Sequence, residues 1–93
     1  MAKSMMQTKK ECYLTGNTWG LHKHHVFFGY GKRKVSEKNG FWCYLTADMH
    51  NMSNEGVHFN HELDLRLKRE CQERYEESHS REEFMELIGW NYL

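Results

Sequence analysis

Ninety-three residues, 39% of them hydrophobic, suffice for one domain around one modest core. No apolar run approaches the roughly 20 residues that cross a bilayer, no signal-peptide pattern precedes the polar start Met1-Ala2-Lys3-Ser4, and a soluble cytoplasmic protein is therefore expected. The formal net charge is zero but unevenly spread: residues 1–50 hold eight Lys/Arg against three Asp/Glu, and residues 51–93 hold five against ten.

A basic half beside an acidic half permits a nucleic-acid face on the basic side, whereas the acidic half reads as solvated helix surface. Cys12, Cys43 and Cys71 are widely separated and form no Cys-x-x-Cys pair. That pattern argues against a disulfide framework or a four-cysteine zinc site and predicts reduced thiols.

Residues 1–10 read as a flexible lead-in containing Lys and Met, with the domain over residues 11–93. Cys12-Tyr13-Leu14-Thr15-Gly16 followed by Asn17 predicts a short strand and a tight turn, because Gly and Asn tolerate positive φ. Alternation through Leu21-His22-Lys23-His24-His25-Val26 predicts a strand in which His24 and His25 face opposite sides. Residues 32–40 are a polar connection with room for one helical turn ending at Asn39-Gly40. Such a connection is long for a hairpin, and loops of this kind are more often functional than idle.

Phe41-Trp42-Cys43-Tyr44-Leu45-Thr46 is the second clear strand, with Trp42, Tyr44 and Leu45 expected to pack. Residues 47–59 are rich in turn formers and carry His50 and His58. Asn60 is placed to cap a helix from about His61 to Glu77, with Leu63, Leu67, Cys71 and Tyr75 on one face. Ser80-Arg81-Glu82-Glu83 is a capping-box pattern that opens a last helix, closed by Gly89 after Ile88. The expected order is strand, strand, helix, helix.

Imidazole is the commonest metal ligand and also titrates near neutrality. Phosphodiester cleavage places charge on phosphate oxygens and on the leaving oxygen, which a divalent ion neutralises while a histidine deprotonates water. His24, His50 and His58 suit the ion. His25 suits the base, provided that a backbone carbonyl fixes its other nitrogen. Lys23, Arg33 and Lys34 suit phosphate contacts, Arg33 best because its planar fork can bind two oxygens. The remaining candidates have plainer roles: His22 and His79 as surface or satisfied residues, Met49 and Met52 as packing, and Arg66, Lys68, Arg69 and Arg74 as partners of acids on their own helix.

The stretches Leu21-His22-Lys23-His24-His25-Val26 and Trp42-Cys43-Tyr44-Leu45-Thr46-Ala47-Asp48-Met49-His50-Asn51 resemble the two motif strands and following turn of the HNH nucleases. The chain is also similar, over about residues 11–93, to small phage-encoded HNH-type proteins. It shares with them His-Asn-Met-Ser-Asn from residue 50, Gly-Val-His-Phe-Asn from residue 56 and the terminal Asn-Tyr-Leu. The resemblance implies an α+β fold with a compact ββα-metal core followed by C-terminal helices. It implies a metal-dependent DNA endonuclease in the host-cell cytoplasm, using one divalent ion (Mg, Mn, Ni or Zn), with His25 as base, His24 and His50 as ligands and His58 as the last ligand.

The chain departs from that pattern in three places. Thr15, Thr46 and Met49 break the cysteine knuckles, so no structural zinc is expected. Phe41 or Trp42 stands at the place of the central Asn, leaving Asn39 or Asn51 as substitutes. His50 and His58 are eight residues apart, which leaves His61 as an alternative last ligand. A rival reading from a different class is a catalytically inactive HNH-like binding protein, either a DNA-binding accessory or an inhibitor of a host nuclease or defence system. A homodimer or a protein partner is compatible with either reading.

Overall fold

The alternating histidine segment forms the strand β1 (Leu21–His25) and the aromatic segment forms β2 (Trp42–Thr46). They pair antiparallel, with Leu21 opposite Thr46, His24 opposite Cys43 and His25 opposite Trp42. The computed structural model describes residues 2–29, 31–52 and 60–93. Over these the chain is a compact α+β fold with one two-stranded sheet.

The basic connection between the strands holds a longer helix than the single turn expected, α1 (Lys32–Asn39). Glycines in the left-handed region bound it, Gly31 at φ 79° and Gly40 at φ 77°. The Gly40 N–H donates to the Ser36 carbonyl, as does the Phe41 N–H at 2.8 Å. Ser36 is fully buried, and its hydroxyl donates to the Phe27 carbonyl (2.7 Å) and accepts from the Phe27 N–H (3.2 Å). One side chain thus satisfies two backbone groups that have left the sheet and clips α1 to the chain beyond β1. Ser36→Ala should lower the unfolding free energy by about 1–3 kcal/mol, the usual cost of stranding buried hydrogen-bonding groups, measurable by urea denaturation.

After β2 the chain makes a π-helical turn (Asp48–Met52). Then follow α2 (His61–Glu76) and α3 (Arg81–Ile88). The capping signals act as expected: Asn60 Oδ1 accepts from the Leu63 N–H at 3.1 Å, Ser80 and Glu83 form the reciprocal capping box, and Gly89 closes α3 at φ 86°. Leu67, Cys71 and Tyr75 of α2 are buried, with Leu63 partly so. Phe27, Phe41, Tyr75 and Phe84 pack ring to ring; centroids lie 5.4 Å apart for Phe41–Tyr75 and 5.5 Å for Phe27–Phe84. Acids pair with Arg66, Lys68 and Arg74 along α2, whereas Arg69 donates to the Tyr92 carbonyl.

Two expectations about the first 20 residues are corrected. Residues 12–16 form no strand; the Gly16 N–H donates back to the Cys12 carbonyl (2.8 Å), a turn that Gly16 permits at φ 82°. Residues 4–7 of the lead-in belong to the folded unit. Met6 is 2% exposed, the Met5 N–H donates to the Gly40 carbonyl, and Gln7 Oε1 accepts from the Tyr44 N–H. Ser4 Oγ donates to the Trp42 carbonyl, and the Tyr13 N–H donates to the Tyr44 carbonyl. The outer edge of β2 would otherwise present bare polar groups, and side chains and a turn from the N-terminal residues satisfy them. Cys12, Cys43 and Cys71 are buried free thiols. Among the described residues no helix is long and apolar enough to cross a membrane.

Candidate functional site

Side chains alternate along β1, so His22 and His24 share one face while Lys23 and His25 share the other. The antiparallel register returns the end of β2 to the start of β1, since Leu45 lies opposite His22. The π-helical turn that follows therefore passes back over the His22 and His24 face. It places the His50 ring 5.2 Å from that of His24 and 5.3 Å from that of His22. His24 is 1% exposed.

The Nδ1 atoms of His22 and His50 stand 3.1 Å apart. At that distance one of them is an N–H donor to the other. The separation is also close to the roughly 3.3 Å between two nitrogens that share a tetrahedral ion with bonds of about 2.0–2.1 Å. His22, expected to be a bystander, therefore belongs to the cluster. Its i, i+2 relation to His24 was the available signal.

The fold brings together two of the expected ligands, His24 and His50. His58 lies outside the described residues, and so does the comparison between it and His61; His61 itself is exposed at the start of α2. Among the described residues no three His, Cys, Asp or Glu side chains are arranged to hold a metal ion. The donor chemistry nevertheless fits a borderline divalent ion, because neutral imidazoles suit Zn and Ni, and water or a further side chain can complete the coordination. Asn39, one possible stand-in for the central Asn, is engaged on its own helix, where Nδ2 donates to the Val35 carbonyl. The side chain of Asn51 lies outside the described residues.

His25 faces α1. Its Nε2 stands 3.6 Å from Glu37 Oε1, longer than a hydrogen bond but within ion-pair range. Its Nδ1 is buried and makes no hydrogen bond among the described residues. The group beside Nε2 is thus a carboxylate from the inter-strand helix, and among the described residues no backbone carbonyl holds Nδ1, the contact expected. Glu37 also takes both contacts of Lys23 Nζ, at 2.7 and 2.9 Å, and Lys23 Nζ lies 4.1 Å from the Trp42 ring centroid. Lys23, expected to hold phosphate, therefore already has its charge balanced within the fold.

Burial pushes the His25 pKa below its ordinary value; Glu37 opposes this, and Arg33 and Lys23 add to it. The hydrogen bond from Lys23 holds the Glu37 carboxyl below the usual range. The fold favours neutral His25, so its contribution to stability is complete above about pH 6.5, the unfolded value, and is lost as pH falls through the lower folded value. Glu37→Gln removes a charge that supports the imidazolium and should lower the His25 pKa further. A pH titration of the ring by ¹H–¹⁵N NMR checks this; an unchanged or raised value would show that Glu37 does not govern His25.

Lys23, His24, His25, Phe28, Gly29, Arg33 and His50 line a cleft of about 260 Å³. Arg33 reaches it from the first turn of α1 and is exposed. Lys34 is exposed on the same helix but does not line the cleft. The cleft joins an imidazole pair, a neutral histidine held beside a carboxylate, and a guanidinium. These are the parts needed to bind an anion and move a proton from a nucleophile. His79, by contrast, stacks on Tyr75 at 4.1 Å, a packing role. Compared with family models, with curated proteins and with solved structures, the chain matches none.

Proposed function

We propose that the chain is a metal-dependent DNA endonuclease of the HNH type, in which β1, β2 and α2 form the ββα unit. The observation that carries this reading is the divergence of two adjacent histidines over one cleft: His24 meets His50, and His25 meets Glu37. A metal site and a base site need differently used imidazoles, and neighbouring strand positions supply them. His24 and His50 would hold the divalent ion, with His58 as the last ligand on the strength of the resemblance. Bound there, the ion would supply charge neutralisation at the phosphate and the leaving oxygen.

The chain's own residues do the rest. Neutral His25 takes a proton from the attacking water, and Glu37 stabilises the imidazolium that results. Arg33 binds non-bridging phosphate oxygens through its planar fork. Contacts of this type go to the backbone and carry no base information.

The test is incubation of supercoiled, single-stranded and branched DNA with the purified protein in Mg²⁺, Mn²⁺, Ni²⁺ or Zn²⁺, with chelator as the control. Conversion of supercoiled to nicked or linear DNA, abolished by chelator, is expected. DNA binding without cleavage in any metal would replace this reading with that of an inactive binding protein on the same scaffold.

A further inference from the structure

On the face of β2 turned away from the core, the N-terminal segment and the strand enclose a groove of about 650 Å³. Trp42 and Tyr44 contribute to it from β2, Lys3, Lys9 and Lys10 from the N-terminal segment, and Lys23 from β1. Among the described residues, none that lines it is acidic. Lys3, Lys9 and Lys10 are exposed, and among the described residues they make no ion pair. Lys10 Nζ lies 5.6 Å from the Tyr44 ring centroid, which brings its charge over the groove. Lys23 lines both this groove and the histidine cleft, so the two are neighbours across one side chain.

We propose that this groove binds the continuing backbone of the polynucleotide whose scissile phosphate sits in the histidine cleft. The inference rests on the nuclease reading for what occupies the cleft, and on the groove itself for where the strand goes next. A strand leaving the cleft past Lys23 meets three cations that have no acidic partner among the described residues, the complement of consecutive phosphates. The half-buried side of Tyr44 offers an apolar surface between them. The anchored N-terminal segment is then part of the substrate site: its hydrogen bonds to Gly40, Trp42 and Tyr44 hold its lysines along β2.

The test neutralises Lys3, Lys9 and Lys10 together (each Lys→Gln) in a His25→Ala background, in which cleavage is slow. Binding is read by fluorescence anisotropy on a 20-base-pair duplex over a salt series, with thermal unfolding as the check that the fold persists. Affinity should fall roughly tenfold or more at low salt, and the slope of log affinity against log salt should become shallower by about 2 to 3, one phosphate per lysine. Unchanged affinity and slope would overturn the groove. Equal competition by polyglutamate of matched charge would also overturn it, in favour of an acidic protein partner. If the parent protein proves unable to cleave DNA yet the neutralised variant loses binding with the shallower slope, the groove stands and only the catalytic reading fails.

Discussion

His25→Ala is expected to slow DNA cleavage by about 10²- to 10⁴-fold, the contribution of a positioned general base, with little change in fold. The side chain is mostly buried, but it stands at the end of β1 beside a cleft and not in the aromatic core. Its removal therefore leaves the packing around Phe41 and Phe84 intact. Metal affinity, read by calorimetry, should persist, because His25 faces Glu37 and not the His22, His24 and His50 cluster. His24→Ala should differ by losing metal affinity as well as cleavage. The depressed pKa of His25 adds a pH signature: cleavage limited by this base should hold below pH 6.5 and fall only as the folded value is approached. Wild-type rates in the His25→Ala variant would end the base assignment.

The second large effect is expected far from any chemistry. Gly40 holds φ +77°, and a Cβ built there would lie 2.1 Å from the Lys3 carbonyl oxygen. Left-handed strain costs an L-residue about 1–2 kcal/mol, and overpacking adds about 1–3 kcal/mol, so Gly40→Ala should cost about 2 to 5 kcal/mol in denaturant unfolding. The clash is with backbone, which cannot rotate aside, so the N-terminal segment must lift from β2 to relieve it. If the groove binds DNA, the same substitution should weaken DNA binding at pH values and temperatures where the variant is still folded. A variant as stable as the parent would show that the N-terminal segment does not approach Gly40 this closely in solution.

Features governed by short-range rules were legible in the sequence. Asn60, the Ser80–Glu83 box, Gly40 and Gly89 mark helix ends because a cap is made by residues within one turn of it. The opposed orientation of His24 and His25 is equally local, since it follows from the two-residue period of a strand. The buried face of α2 follows in the same way from its 3.6-residue period. The two-turn length of α1 was less visible, because a run of Lys and Arg between glycines carries no apolar stripe to announce a helix. It is held by Ser36, whose partner Phe27 lies nine residues away.

The chain's local patterns thus establish an α+β protein with an imidazole pair at a strand end and a basic connection between two strands. What surrounds those imidazoles was decided by tertiary packing. His22 meets His50 across 28 residues because the register of β1 and β2 returns the following turn over one face of β1. Glu37 meets His25 because Ser36 fixes the rotation of α1 against the chain leaving the sheet. The N-terminal lysines reach β2 because an unpaired strand edge must satisfy its polar groups and residues 4–7 were able to do so. Each of these contacts depends on how separate elements meet, and neither side-chain periodicity nor spacing along the chain encodes that meeting.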